Sequence, residues 1–356
     1  MKGKVSPRAR VVSMPEYHPP LGNRTSLRLD FNENTVGCSP AVLAAIQKIS
    51  AADLTRYPER EPLELLVAQH LGRAAEEVML TNGVDEAIHL LCQAYLDTDD
   101  ELLLPVPTYT MYEIYAAATD ARVVRVQAAA DFRFPYQGIL DGITQKTKLI
   151  AIANPNSPTG AVVSREEIVA IADAAPHAVV LVDEAYFHFY GETVLDLIGT
   201  VPNLVVARTF SKAYGLAALR LGLLVSTPQN LQWPRRVLSP YSVNHVALVA
   251  LRAGLEDEAY LASYVGEVKL AREEFLAQID RLGYRWWPTQ ANFVLVEIGS
   301  SHKQFVKEMQ EQGILVRDRS TDPGCEGLVR ITIGTREQMD KAVEAMAQYL
   351  RTGATR

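Results

Sequence analysis

The chain has 356 residues, 48% hydrophobic and 22% charged, the balance of a soluble globular protein too long for one compact core. A formal charge of −7 leaves no basic footprint for nucleic acid, and no apolar run approaches the roughly 20 residues of a membrane helix. Cys38, Cys92 and Cys325 lie far apart without a Cys-x-x-Cys pair, which argues against a zinc site or disulfide framework and for a reducing, cytoplasmic setting.

Residues 1–34 carry several prolines and no apolar core of a secretory signal, so they read as an extended arm. Across residues 35–245 short apolar runs alternate with amphipathic stretches. Ser39-Pro40 opens a helix with a cap and a proline at its first position. Strands are predicted at 78–81, 101–104, 122–126, 149–153, 179–182, 204–207 and 221–225. Their Val/Ile/Leu richness without alternation predicts burial on both faces, in a mostly parallel sheet covered by helices. Ser164 and Glu167 have the spacing of a capping box before another helix. Beyond 245 the character changes: a long charged helix near 256–282, a strand at 292–297, a helix at 302–312, a strand at 328–333 and a helix at 336–350. This segment, 246–356, reads as a smaller α+β domain beside the large α/β domain of 35–245.

The most informative run is Thr209-Phe210-Ser211-Lys212-Ala213-Tyr214-Gly215, followed closely by Arg220. It places Lys212 at the carboxyl end of a buried strand, where α/β sheets bind their ligands. A lysine that attacks an aldehyde needs a depressed pKa, which a partly buried, cation-rich site supplies. Ser211 and Arg220 offer a hydroxyl and a forked cation to a phosphate. Taken alone, Lys212 reads as an exposed loop lysine, and only its combination with the motifs below overturns that. Asp183 ends another buried strand, just before Tyr186. A carboxylate there can keep a ring nitrogen protonated, or cap the next helix. Gly83, Val84 and Asp85 lie where a strand turns into a helix, whose free N–H groups and positive dipole end suit a phosphate; Asp85 and Glu86 also fit as ordinary first-turn acids. Tyr109 in Pro107-Thr108-Tyr109 can stack on a flat ring or simply pack. Asn154-Pro155-Asn156-Ser157-Pro158-Thr159-Gly160 carries amides that can reach a ligand, and is also plain turn chemistry.

In this order, NGVDE, PTY, NPNSPTG, DEAY, SKAYGLAALRLG and VRITIGT resemble the class I/II aminotransferases of fold type I, which depend on pyridoxal 5′-phosphate (PLP). The likeness is strongest to the histidinol-phosphate aminotransferase family and runs from Leu29-Asp30-Phe31-Asn32-Glu33-Asn34 to Gly334-Thr335-Arg336. The resemblance implies a large domain with a mostly parallel seven-stranded sheet and a smaller α+β domain. It implies that Lys212 carries the cofactor, Asp183 pairs with the pyridine nitrogen and Tyr186 contacts the phenolic oxygen. It further implies that Tyr109 stacks on the ring, that Gly83, Val84, Asp85, Ser211 and Arg220 hold the phosphate, and that Tyr57 serves the phosphate of the neighbouring subunit in a homodimer. Arg330 matches the arginine that clamps a substrate α-carboxylate; Tyr17 and Arg317 match positions that recognise the substrate phosphate. The family has asparagine just before Pro-Thr-Gly where this chain has Ser157, so either that hydroxyl or Asn156 with Tyr186 is expected at the phenolic oxygen. The implied reaction moves an amino group from histidinol phosphate to a 2-oxo acid such as 2-oxoglutarate. Aromatic amino acids, or decarboxylation of the threonine-phosphate type, are the alternatives on the same scaffold.

Overall fold

The computed structural model describes residues 5–14, 16 and 25–351. Its strands are β1 (Leu27–Leu29), β2 (Val78–Thr81), β3 (Glu101–Val106), β4 (Arg122–Gln127), β5 (Thr147–Ala153), β6 (Val179–Asp183), β7 (Leu204–Thr209), β8 (Gly222–Val225), β9 (Phe293–Glu297), β10 (Ile314–Asp318) and β11 (Leu328–Thr332). The larger sheet has seven strands in the order β2-β8-β7-β6-β5-β3-β4. Only β8 runs against its neighbours. The parallel strands therefore end along one rim, and β8 starts there. This is the mixed α/β, mostly parallel architecture that the apolar runs predict.

Side-chain alternation explains why those runs look uniformly apolar. Leu80, Leu103, Ile150, Val180, Val206 and Leu223 enter one core, whereas Met79, Leu102, Leu149, Leu181, Val205 and Leu224 enter the core on the opposite face. Both faces are covered, so neither phase of the strand can be polar. β4 departs from that expectation. It lies at the sheet edge with Arg122 and Gln127 exposed, because an edge strand is covered less completely than a central one.

The smaller sheet has the order β1-β10-β11-β9 and packs on Glu258–Arg281, His302–Glu311 and Arg336–Arg351. β1 and β10 are absent from the strands predicted above. β1 is only three residues long, and its parallel partner lies far away in the chain, pairing Leu27 with Ile314. The predicted helix near 256–282 is observed as Glu258–Arg281; before it, His245–Glu256 packs into the core of the large sheet through Ala247, Leu248 and Leu251. Among the described residues no helix is long and apolar enough to cross a membrane.

Candidate active site

Strands β2, β3, β5, β6 and β7 deliver their following loops to the common rim, so residues far apart in sequence meet there. The loop after β7 is a closed turn: the N–H of Leu216 donates to Phe210 O (3.1 Å), and that of Gly215 to Lys212 O (3.1 Å). Gly215 has φ +71°, and a Cβ there would stand 2.6 Å from Gly37 O, so only glycine closes the turn. Lys212 projects from it. Its Nζ donates to the carbonyl of Phe31 at 3.0 Å and lies 5.9 Å from the Tyr186 ring centroid.

Asp183, at the end of β6, is almost fully buried. Its Oδ2 accepts a hydrogen bond from the Tyr112 hydroxyl (2.6 Å) and its Oδ1 accepts the Ala185 N–H (3.0 Å). Burial drives its pKa up to about 6, against the pull of those two donors. The Tyr186 hydroxyl accepts from Asn32 Nδ2 at 2.9 Å, which leaves its own proton free to donate.

At the start of helix Gly83–Tyr95 no side chain caps the first-turn N–H groups. Arg220 closes over them. A Cβ on Gly83, which has φ +78°, would stand 2.7 Å from Arg220 Nη2, and one on Gly222 would stand 2.7 Å from Gly83 C and Val84 N. Arg220 itself holds a left-handed backbone at φ 55°, a cost that clusters at functional sites. Its Nη1 reaches Ser211 Oγ at 3.5 Å and its Nη2 donates to Asp85 Oδ2 at 2.8 Å. Asp85 Oδ1 accepts from the Tyr109 hydroxyl (2.6 Å), so this carboxylate orients Arg220 and Tyr109 while the Asp85 N–H is what remains for an anion.

A second cluster faces this one from the smaller sheet. Arg330 is buried; its Nη1 donates to Ser157 Oγ (3.0 Å), its Nη2 to Asp30 O (2.7 Å), and its Nε has no partner among the described residues. Burial, reinforced by Arg319 and Arg317, pulls its pKa down to about 10. Arg317 lies opposite Arg330 in the β10–β11 register. Its guanidinium carbon is 5.6 Å from the Phe31 ring centroid, and that of Arg28 is 4.9 Å from the same centroid. Arg28 is paired with Asp30 and Glu33, Arg319 with Asp322, and Asp318 with His302. Among these arginines only Arg317 and Arg330 lack a carboxylate at ion-pair distance among the described residues.

Three expected residues are not drawn into these contacts. Asn156 accepts from Thr108 and donates to Pro107 O and Thr159, so its amide is committed to the loop. Tyr57 is 75% exposed and stacks on Tyr241 at 4.2 Å. Tyr17 lies outside the described residues. Sequence reasoning missed Tyr112, Asn32 and Phe31. Asn32 and Phe31 sit inside the Asp30-to-Asn34 motif, whereas nothing local marks Tyr112.

The model of the family described as aminotransferase class I and II matches residues 24–346. The chain belongs to the class I and II aminotransferases. This aminotransferase is 33% identical over 347 residues to the histidinol-phosphate aminotransferase of Geobacillus sp. (strain WCH70), covering 95% of this chain and 94% of the relative. It is 36% identical over 333 residues to histidinol-phosphate aminotransferase 2 of Pseudomonas fluorescens, covering 92% and 89%. The crystal structure of histidinol-phosphate aminotransferase from Sinorhizobium meliloti, in complex with pyridoxal-5′-phosphate, superposes with a TM-score of 0.89 at 26% identity over 99% of this chain and 100% of that one.

The family is PLP-dependent, and so is this aminotransferase. The residues at its rim fit the group. Uncapped N–H groups, the room left by two glycines, a hydroxyl and a guanidinium have the chemistry that a phosphate needs. A buried carboxylate suits a protonated ring nitrogen, and the Lys212 amine lies 5.9 Å from the Tyr186 ring centroid.

Proposed function

We propose that this aminotransferase transfers the amino group of histidinol phosphate to a 2-oxo acid such as 2-oxoglutarate, in a biosynthetic, cytoplasmic role and as a homodimer. The observation that carries the reading is the pair Arg317 and Arg330, two cations facing the Lys212 rim with no carboxylate at ion-pair distance among the described residues. The amino donor presents a phosphate and no α-carboxylate, whereas the acceptor presents two carboxylates. Two guanidinium groups of different burial can serve both in turn. The names borne by the relatives at 33% and 36% identity point the same way.

In this reading the N–H groups of Gly83, Val84 and Asp85, with Ser211 and Arg220, hold the cofactor phosphate. Tyr109 covers the ring and Asp183 keeps a proton on its nitrogen. Tyr186 donates to the phenolic oxygen in place of Asn156, whose amide the loop occupies, while Ser157 props Arg330. When bound, PLP supplies the electron sink that weakens the substrate Cα–H bond. Lys212 would leave the Phe31 carbonyl, take the proton from the substrate Cα at Nζ and pass it to the cofactor's C4′ within the same half-reaction, with the transfer running backwards in the other half-reaction. Positioned proton transfer of this kind contributes about 10²–10⁴-fold. Arg330 fixes the α-carboxylate of the amino acid partner, and Arg317 the phosphate or distal carboxylate. Tyr57 reaches the neighbouring subunit's cradle. The domain division we propose keeps the arm at 1–34 and separates 35–245 from 246–356, with helix His245–Glu256 leaning back on the large core.

A half-reaction screen tests the reading. The cofactor absorbance of the purified enzyme is followed as it meets histidinol phosphate, histidinol, glutamate and aromatic amino acids. Histidinol phosphate and glutamate should convert it readily, with a keto product. Conversion by aromatic amino acids with histidinol phosphate inert, or release of CO₂, would overturn it.

A further inference from the structure

A cavity of about 390 Å³ lies behind the lysine-bearing turn, between the end of helix Glu61–His70, the short helix Phe187–Tyr190 and the first turns of Glu258–Arg281. None of the residues assigned above to cofactor or substrate lines it. Its walls are largely apolar, with Phe187, Phe210, Leu255 and Leu261 among them, and its size is in the range of small-molecule sites.

Two polar groups line it without a hydrogen bond to any described residue. The first is the hydroxyl of Tyr214, a residue only 6% exposed. Its ring is packed in the protein while the hydroxyl opens on the cavity, so that hydrogen bond is left for whatever fills the space. The second is the ring of His188, whose centroid is 5.3 Å from that of Tyr214. Burial and the nearby Arg208 and His70 hold the His188 pKa down to about 3, so its imidazole is neutral and offers one donor and one acceptor. Arg208, the cation of the wall, is already cancelled: its Nε and Nη2 both donate to Glu184 Oε2, at 2.9 and 2.8 Å. The other ionisable groups of the lining, Glu258 and His70, lie 3.7 Å apart, and the Glu258 side chain is largely exposed, so no unpaired cation is left inside to repay the desolvation of an anionic head group.

We propose that this cavity is a second binding site, for a small uncharged aromatic molecule whose head group both donates and accepts a hydrogen bond. The ring lies among Phe187, Phe210 and the leucines, and the head meets Tyr214 and His188.

The test uses the cofactor-loaded enzyme and 4-fluorobenzamide, whose binding is followed by fluorine NMR line broadening, with 4-fluorobenzoate as the charged comparison. The amide should bind at millimolar concentration or better, the carboxylate more weakly, and excess histidinol phosphate should displace neither. Tyr214→Phe removes only the hydroxyl and should weaken the amide roughly 2–10-fold, the worth of one neutral hydrogen bond. Ala262→Trp, at an exposed position on the cavity mouth, should obstruct binding while leaving melting temperature and cofactor absorbance unchanged. Failure of the amide to bind at millimolar concentration would mean the cavity holds water only and would sink the proposal. So would stronger binding of the carboxylate, displacement by substrate, or wild-type affinity in both variants.

Discussion

Asp183 holds its proton more tightly than a carboxylate in water because burial outweighs the donors Tyr112 and Ala185. In the cofactor-free protein its pKa of about 6 exceeds the 3.8 of an unfolded chain. The native state then binds more protons than the unfolded one between those values. The stability this group contributes is complete below about pH 4 and is lost as pH rises through 6, a change of about 3 kcal/mol. Melting of cofactor-free wild type and Asp183→Asn should differ in slope across that window; equal slopes would assign the titration elsewhere. Asparagine should also slow turnover far more than it weakens cofactor binding, since it cannot hold the ring nitrogen protonated. At the other cluster, Arg317→Ala should raise KM for histidinol phosphate by roughly 10–150-fold, the loss of one charge-assisted hydrogen bond, and barely change the use of histidinol. Arg330→Ala should instead impair glutamate, which has the α-carboxylate that histidinol phosphate lacks. Comparable losses with phosphorylated and unphosphorylated donor would remove Arg317 from the phosphate. Lys212, Asp183 and Arg220 were legible because each stands beside a buried apolar run that fixes its place at the rim. Tyr112 was not, since a tyrosine inside a helix carries no local mark of the carboxylate it meets at the end of β6.

At the scale of elements, the proposed phosphate cradle depends on two backbones passing closer than side chains allow. Gly222→Ala sets a Cβ 2.7 Å from backbone atoms of Gly83 and Val84, which have little freedom to yield. Overpacking of this kind costs about 1–3 kcal/mol, so cofactor affinity measured by equilibrium dialysis should fall roughly 5–150-fold. Gly266→Ala is the control: it sits in helix Glu258–Arg281 with nothing within 4 Å, and alanine there should stabilise the fold by about 1 kcal/mol. Undiminished cofactor affinity in Gly222→Ala would refute the cradle. The buried strands of the large sheet could be read in advance because two covered faces leave an unbroken apolar run. β1 and β10 could not. Their pairing joins segments near the two ends of the chain, and β1 brings only Leu27 and Leu29 to the sheet beside an arginine.

For the whole molecule, the exposed apolar side chains offer a candidate surface for the proposed homodimer. Tyr57 and Tyr241 stack on one another while remaining 75% and 52% exposed, with Leu54 and Val237 also exposed on the segments that carry them. An exposed aromatic pair of this kind suits an association site. Mixing Lys212→Ala subunits with Tyr57→Phe subunits should therefore restore part of the lost activity, because one site of each mixed dimer keeps both residues. No recovery despite proven subunit exchange would argue for a site built from one chain. The reversed strand β8 has a consequence for the order of assembly. β2 borders no other strand of the sheet, so while the polypeptide is still being synthesised its edge stays bare until residues 222–225 emerge. The cradle at Gly83 lacks its lid until Arg220 arrives, and Arg330 comes later still. Coenzyme capture belongs to the nearly finished polypeptide, and a nascent chain stalled before residue 220 would carry an open strand edge prone to aggregation.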